Sequence, residues 1–179
     1  MNLYVIRHGT TNANEQGVIQ GRRMGRLSKT GEKDLEKLAK DFENTKIDII
    51  VSSPLMRTLQ TAKIYNQYHN VKIVKDDLLL EVEEGVFTGR KHSSLSDEER
   101  KIIKSKLHEY GMESVQDVKQ RMQDFLDTIK EKYPYENVAI VTHNMCASII
   151  ERLLKGLPIE KDDETLSLFS NGQVKLFKI

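Results

Sequence analysis

The sequence contains little cysteine: Cys146 is the only one in 179 residues. A single thiol cannot form a disulfide within the chain, which excludes the disulfide-stabilised class of small secreted proteins. We expect Cys146 to be a small buried core residue rather than a metal ligand or a redox switch. The five histidines are scattered, without the spacing of a zinc-finger-type site. We therefore expect a protein of a reducing compartment that needs no metal and no other cofactor.

An excess of either charge is also lacking. Lys and Arg total 28 and Asp and Glu total 27, so the formal net charge is +1. Proteins that bind nucleic acid or anionic membranes through their overall charge are much more basic. No long apolar run opens the chain, because Arg7 and His8 interrupt the first one, Leu3–Ile6, which is too short for a signal peptide or a membrane span. We expect no nucleic-acid partner, no membrane and a cytoplasmic location.

The chain has no low-complexity tract, no internal repeat and no long linker rich in Pro, Gly or Ser. Its 179 residues are enough to bury one core of ordinary size. We therefore expect a single domain over residues 1–179.

Four short apolar runs rich in β-branched residues have the length of strands buried on both faces of a sheet. They are Leu3–Ile6, Ile47–Val51, Val71–Val74 and Val138–Val141. Helical patterns with capping signals lie between and after them: Ser28 to Phe42, Pro54 to Tyr68, Ser114 to Tyr133 and Asn144 to Lys155. Strands that alternate with helices predict a parallel sheet covered by helices.

The C-terminal residues break this alternation. Leu166–Phe169 and Val174–Ile179 flank Asn171-Gly172, a pair typical of β-hairpin turns. We therefore predict the α/β fold class, a three-layer α/β/α arrangement with a mostly parallel open sheet and an antiparallel edge strand or C-terminal hairpin.

Chemically useful residues follow three of the predicted strands. His8 comes directly after the first, Arg57 shortly after the second and His143 after the fourth. Ligand sites of open α/β sheets lie beyond the carboxyl ends of the strands, so these side chains can meet in one crevice. Phosphoryl transfer needs a nucleophile, positive charge around the phosphate oxygens and a proton for the leaving group.

This set of residues suits that reaction. A neutral His8 imidazole can attack phosphorus, and Arg7 and Arg57 present forked donors that match phosphate oxygens. Two nearby arginines also disfavour the imidazolium form of His8, which keeps the nucleophile available. His143 is a further donor to the same oxygens if it is protonated beside a bound phosphate.

Four groups of residues occur in order along the chain: Arg7-His8-Gly9-Thr10-Thr11 with Asn14 and Gln20-Gly21; Ser52-Ser53-Pro54-Leu55 with Arg57-Thr58 and Gln60-Thr61-Ala62; Leu80-Glu81 with Gly85 and Gly89; and Val141-Thr142-His143. Together they resemble the motifs of the histidine phosphatase superfamily, the group related to phosphoglycerate mutase. The resemblance implies a phosphoglycerate mutase-like fold.

The resemblance also implies roles for individual residues. His8 would be the phosphorylated nucleophile, and Glu81 the general acid and then the general base. Arg7, Arg57 and His143 would form the phosphate pocket. Further contacts with phosphate or substrate are expected from Asn14, Gln20, Gly21 and Asn144, although Asn14 and Gln20 can equally cap a loop.

Three features leave alternatives open. Glu83 and Glu84 lie beside Glu81, and Glu83 shares a face with it if the segment is extended, so only the family pattern favours Glu81. The family usually has glycine after the second histidine, where this chain has Asn144 at the expected pocket mouth. A basic cluster from Arg22 to Lys29 either attracts anionic substrates or is simply solvated.

The sequence therefore predicts a phosphatase that hydrolyses a small phosphorylated metabolite through a phosphohistidine. A cofactor-dependent phosphoglycerate mutase is the alternative, and a catalytically silent phosphate-binding module is a third. Mutases of this family carry a long basic insertion between the acid and the second histidine. The segment from Glu81 to His143 is compact and spends much of its length on two amphipathic helices, which favours the hydrolase.

Overall fold

The computed structural model describes residues 1–105, 108–159 and 169–179. They form a five-stranded sheet with the order β3-β2-β4-β1-β5 and six α-helices. In chain order the elements are β1 Asn2–Arg7, α1 Asn12–Glu15, α2 Lys29–Asp41, β2 Ile49–Ser52, α3 Met56–Asn66, β3 Lys72–Lys75, α4 Asp97–Ser105, α5 Val115–Lys132, β4 Asn137–Thr142, α6 Asn144–Lys155 and β5 Val174–Lys178. Neighbours among the first four strands of this order are parallel, and β5 is antiparallel to β1.

Helices cover both faces of the sheet, because successive side chains of a strand point to opposite faces. On one face, Val5 of β1 and Ile140 of β4 pack in a core that includes Phe125 of α5 and Ile149 of α6. On the other face, the sheet packs against α2 and α3 in a second core. The predicted three-layer α/β/α class is therefore confirmed, together with its antiparallel edge strand.

The helix caps explain where the main helices begin and end. Ser28 accepts a hydrogen bond from the Gly31 N–H at the start of α2, and Ser114 forms a capping box with Asp117 at the start of α5. At the end of α6, Gly156 has a φ of +63°, a left-handed conformation that glycine adopts without steric cost.

One strand differs from the sequence prediction. Val71–Val74 was expected to be a strand buried on both faces, but β3 lies at the edge of the sheet, and Lys72 and Lys75 at its two ends are exposed. Charged residues of this kind are common on edge strands, where they oppose pairing with another chain. The order of strands in the sheet, rather than the local composition, sets their burial.

The first arm of the predicted C-terminal hairpin falls largely on residues 166–168, which lie outside the described residues. The Asn171-Gly172 turn is described, and Gly172 has a φ of +77°. Its N–H lies 3.1 Å from the Arg7 carbonyl oxygen and 3.2 Å from that of His8. The turn therefore packs directly against the end of β1, where the candidate nucleophile lies.

A small third core joins the loop after α1 to the segment that connects β3 to α5. It contains Ile19, Phe87, Leu95 and Met112, with α4 packed against it through partly buried isoleucines. α4 and α5 are the two helices predicted between Glu81 and His143. Within the described ranges, no helix is both long and apolar enough to cross a bilayer. The cytoplasmic location and the single domain stay predictions.

Candidate active site

Three neighbouring strands, β2, β4 and β1, end at the same edge of the sheet. Arg7 at the end of β1 is in register with Thr142 at the end of β4, and the chain continues from these into His8 and His143. The His8 N–H donates to the Thr142 carbonyl at 3.0 Å. Arg57 reaches the same place from the first turn of α3, which follows β2. The residues that sequence analysis took from three separate loops are therefore adjacent.

His8 is buried, with 3% of its surface exposed. Its Nδ1 lies 2.8 Å from the Gly9 carbonyl oxygen. A carbonyl can only accept, so Nδ1 carries the proton and the lone pair of a neutral ring is on Nε2. Burial lowers the pKa of His8 well below its ordinary value, and the positive charges of Arg57 and Arg7 lower it further. The ring is thus held neutral with Nε2 as its nucleophilic atom.

His143 has the opposite tautomer. The Arg57 Nε donates to His143 Nδ1 at 3.2 Å, which leaves the proton on Nε2, where it is donated to Ser53 Oγ at 2.9 Å. Burial lowers the pKa of His143 well below its ordinary value, and the neighbouring Arg57 and His8 lower this pKa further. His143 is therefore a fully buried neutral ring, 5.3 Å from the His8 ring between centroids, with both nitrogens engaged.

Arg57 joins three parts of the site although only 1% of its surface is exposed. Besides the bond to His143, it donates from Nη1 to the Arg23 carbonyl and from Nη2 to the Gly21 carbonyl, each at 2.8 Å. A guanidinium has five N–H donors, so one hydrogen on each Nη remains for an anion. The loop after Gln20 is thereby tied to α3 through its backbone.

Arg7 has a different anchor. One of its Nη atoms donates to the carbonyl of Phe169, near the C-terminus. Its Nε is buried and has no hydrogen-bond partner among the described residues. Burial lowers the pKa of Arg7, whereas Glu81 opposes that effect. The guanidinium is thus held in place with an unsatisfied donor.

Glu81 follows the short 3-10 helix Asp77–Leu79, and 14% of its side chain is exposed. Its Oε1 accepts from the Val82 N–H at 3.0 Å, and its Oε2 lies 4.0 Å from His143 Nδ1. Burial raises the pKa of Glu81, and the charges of Arg57 and Arg7 oppose this rise. The buried carboxyl therefore holds its proton to higher pH than an exposed one, as a general acid must.

The two rival carboxylates occupy different positions. Glu83 Oε1 accepts from the backbone N–H groups of Glu84 and Gly85, at 3.0 and 3.2 Å, and Glu83 does not line the cavity beside His8. Glu84 does line it, next to Glu81. The geometry therefore separates Glu81 from Glu83 but places Glu84 in the same cavity.

The cavity beside His8 has a volume of about 140 Å³. This is small beside the roughly 300–1,000 Å³ of pockets for drug-sized ligands. Seven of the predicted site residues line it: Arg7, His8, Asn14, Gln20, Gly21, Arg57 and Glu81. A larger cavity of about 490 Å³ adjoins it through Val18, Ile19 and Gln20. The site thus combines a narrow charged recess with a wider neighbouring space.

Asn14 and Gln20 both cap the loop and line the cavity. Asn14 Oδ1 lies 3.1 Å from the Thr11 N–H and 2.8 Å from Thr11 Oγ1, which forms the capping box of α1. The Thr11 hydroxyl also lies 3.0 Å from Gln20 Oε1. The two roles that the sequence left open for these residues are therefore compatible.

Asn144 and His143 do not line the cavity. The Asn144 Oδ1 instead accepts from the Phe169 N–H at 3.0 Å. Phe169 is the residue whose carbonyl anchors Arg7. The structure therefore places Asn144 beside the residue that anchors Arg7, and outside the lining of the cavity.

The sequence did not predict the contacts of four residues that surround the predicted acid and the second histidine, although Ser53 belongs to the second motif and Arg22 to the basic cluster. Ser53 accepts from His143, and Arg22 and Arg121 both donate to Glu113 beside Glu81. One signal was available, because Arg121 interrupts the apolar stripe of α5 between Val118 and Met122. A charge within such a stripe is stable only with buried partners.

A neutral histidine, two arginines and a carboxyl line one small cavity of a three-layer α/β fold, and these are the kinds of group that phosphoryl transfer requires. The family model described as "Histidine phosphatase superfamily (branch 1)" matches residues 3–178. The chain belongs to this superfamily, and its enzyme class is that of phosphoric monoester hydrolases. The family resemblance inferred from the motifs is thus confirmed.

Individual relatives agree with this assignment. The chain is 26% identical to "Phosphoserine phosphatase 1" of Hydrogenobacter thermophilus, over 89% of the chain and 78% of that protein. It is 32% identical to "Probable phosphoglycerate mutase GpmB" of Yersinia enterocolitica, over 88% of the chain and 76% of that protein. Among solved structures, YhfR of Bacillus stearothermophilus superposes with a TM-score of 0.87 at 25% identity, over 99% of this chain and 91% of that one.

Proposed function

We propose that this chain hydrolyses a small organic phosphomonoester through a phosphohistidine on His8. The observation that carries the proposal is the tautomer of His8. Its Nδ1 donates its proton to the Gly9 carbonyl, so the lone pair is on Nε2. His8 lines the same cavity as Arg7, Arg57 and Glu81. Nucleophile, cationic donors and proton source are thus within one small space.

In the first step, His8 Nε2 forms a bond to phosphorus and the bond between phosphorus and the ester oxygen breaks. The leaving oxygen takes a proton from the Glu81 carboxyl, whose raised pKa favours the protonated form. The phosphorylated ring carries a positive charge, which the hydrogen bond from Nδ1 to the Gly9 carbonyl stabilises.

In the second step, the Glu81 carboxylate takes a proton from a water molecule as the water oxygen bonds to phosphorus. The bond between phosphorus and Nε2 breaks, phosphate is released and the ring regains its lone pair. Throughout both steps, Arg7 and Arg57 stabilise the charge on the phosphoryl oxygens. Each arginine has N–H donors that its protein contacts leave available.

The mutase alternative differs only in the acceptor of the phosphoryl group, which is a second hydroxyl instead of water. The relative named as a mutase keeps this alternative relevant. Hydrolysis is supported by the short segment between Glu81 and His143, which holds α4, α5 and short 3-10 helices. The silent-module alternative has weaker support, because every group that the two steps require lines the cavity or adjoins it.

The test compares wild type with His8→Ala on p-nitrophenyl phosphate and on a panel of phosphorylated metabolites. We expect phosphate release by wild type and a loss of at least about 100-fold in the variant, since a nucleophile and its covalent intermediate are removed. Rapid acid-free denaturation followed by intact mass measurement should detect one added phosphoryl group in wild type only. Unchanged turnover by His8→Ala would refute the proposal.

A second assay separates hydrolase from mutase. Incubation with 2-phosphoglycerate or 3-phosphoglycerate should release inorganic phosphate without forming the other isomer. Isomer exchange with little release of phosphate would instead establish the mutase.

A further inference from the structure

A partly buried cluster of opposite charges lies directly beside the segment that carries Glu81. The Glu113 carboxylate accepts from Arg121 Nε at 3.0 Å and from Arg121 Nη2 at 2.9 Å, and Arg22 Nη2 donates to the same carboxylate at 3.0 Å. The exposed fractions of the Arg22, Arg121 and Glu113 side chains are 34%, 13% and 14%. We call these three residues the Glu113 cluster.

The two arginines of the cluster also hold the backbone that leads to Glu81. Arg121 Nη1 donates to the carbonyls of Leu78 and Leu80, at 2.6 and 2.7 Å. Arg22 Nε donates to the carbonyl of Glu81 itself at 2.9 Å. Glu113 contributes its own N–H, which donates to the Glu83 carbonyl at 2.9 Å. The cluster therefore fixes the backbone on both sides of the candidate acid.

Such fixing is needed because residues 80–84 are neither helix nor strand. Only isolated backbone contacts hold the segment, namely the Glu84 bridge to Met112 and the bond from the Glu113 N–H to the Glu83 carbonyl, so the position of Glu81 also depends on side chains from other parts of the chain. General-acid catalysis requires a donor within hydrogen-bond reach of the leaving oxygen, and a displacement of about 1 Å can cost about 100-fold in rate. Removing the Glu113 carboxylate and its two arginines from water is also costly, so their presence at this place needs a reason.

We propose that Arg22, Glu113 and Arg121 are positioning residues that set the Glu81 carboxyl against the leaving oxygen. None of the three lines the cavity beside His8, so they act through Glu81 rather than on substrate. This inference rests on the proposed function, in which Glu81 protonates the leaving group. It explains why a charged residue, Arg121, interrupts the apolar stripe of α5.

The test uses the dependence of rate on the leaving group. An alkoxide needs a proton from the acid, whereas 2,4-dinitrophenolate leaves without one. Arg22→Ala is the main variant, because Arg22 is one-third exposed and lies on a loop, and Glu113→Gln is the second. We expect kcat/KM for an alkyl phosphate to fall about tenfold in each, and kcat/KM for 2,4-dinitrophenyl phosphate to stay within about twofold of wild type.

A double-mutant cycle with Glu81→Gln distinguishes positioning from a general loss of structure. If Arg22 acts through Glu81, then Arg22→Ala has no further effect on alkyl phosphate in the Glu81→Gln background. The matched control is Arg100→Ala, which removes an exposed arginine of α4 and should leave both substrates unaffected. Equal losses on both substrates, no loss on either, or additive losses in the cycle would overturn the inference.

Glu81→Gln alone tests the underlying function in the same experiment. It should lower kcat/KM for the alkyl phosphate by about 100-fold or more, and spare the dinitrophenyl ester by comparison. If it affects both substrates equally, the role of Glu81 is refuted. If Glu81→Gln is selective and Arg22→Ala is not, only the positioning role is refuted.

Discussion

At the scale of single residues, the site contains two neighbouring buried histidines that differ in which ring nitrogen carries the proton. His8 donates from Nδ1 to a carbonyl, and His143 accepts at Nδ1 from Arg57. Their tautomers are fixed by these partners, so only one of the two rings has a lone pair available to attack phosphorus. Burial beside two arginines keeps both rings uncharged.

These shifted pKa values predict the pH dependence of kcat/KM. In the proposed mechanism His8 reacts as the neutral base, and its lowered pKa moves the acid limb of the pH profile below the usual range for histidine. Glu81 reacts as the protonated acid, and its raised pKa keeps the acid form to higher pH; activity falls as pH rises through that pKa. The ratio of wild type to Glu81→Gln on one alkyl phosphate should therefore decrease with rising pH, because ionisation of the substrate cancels. A ratio independent of pH would contradict the role of Glu81.

At the scale of elements, the sequence predicted those parts of the fold that depend on neighbouring residues in the chain. Apolar runs located β1 and β4, and capping residues located the starts of α2 and α5. Burial of β3 was predicted wrongly, because its place at the sheet edge depends on strand order. The partners of Arg22 could not be predicted either, because Glu81 and Glu113 are 59 and 91 residues away from it in the chain.

Asn144 gives a prediction at this scale, because it joins the start of α6 to the C-terminal segment. Its bond to the Phe169 N–H fixes the residue whose carbonyl holds Arg7. We expect Asn144→Ala to loosen Arg7 and to raise the inhibition constant of inorganic phosphate several-fold, equivalent to about 1 kcal/mol for one lost hydrogen bond. Competition assays on p-nitrophenyl phosphate measure this. An unchanged inhibition constant would show that the Arg7 anchor does not need Asn144.

At the scale of the whole molecule, the site is where separate parts of the chain meet. Arg57 of α3 contacts the loop after Gln20 and the His143 ring at the start of α6, and Arg7 of β1 contacts the C-terminal segment. With a formal net charge of only +1, the molecule supplies no strong overall field for anions. We therefore expect the attraction for phosphate to be local, and to come from arginines that also hold these parts together.

Phosphate binding should for this reason stabilise the whole fold. A ligand that binds only the folded state raises the free energy of unfolding by about 2.7 kcal/mol at one hundred times its Kd. Urea unfolding of wild type and of His8→Ala should show this increase with inorganic phosphate, compared with chloride at equal ionic strength, because both proteins retain the two arginines. Arg57→Met should lose the increase and should also be less stable without phosphate, since it leaves the carbonyls of the buried Gly21 and of Arg23 without their donor. Equal stabilisation of Arg57→Met by phosphate would show that the anion binds outside the cavity beside His8.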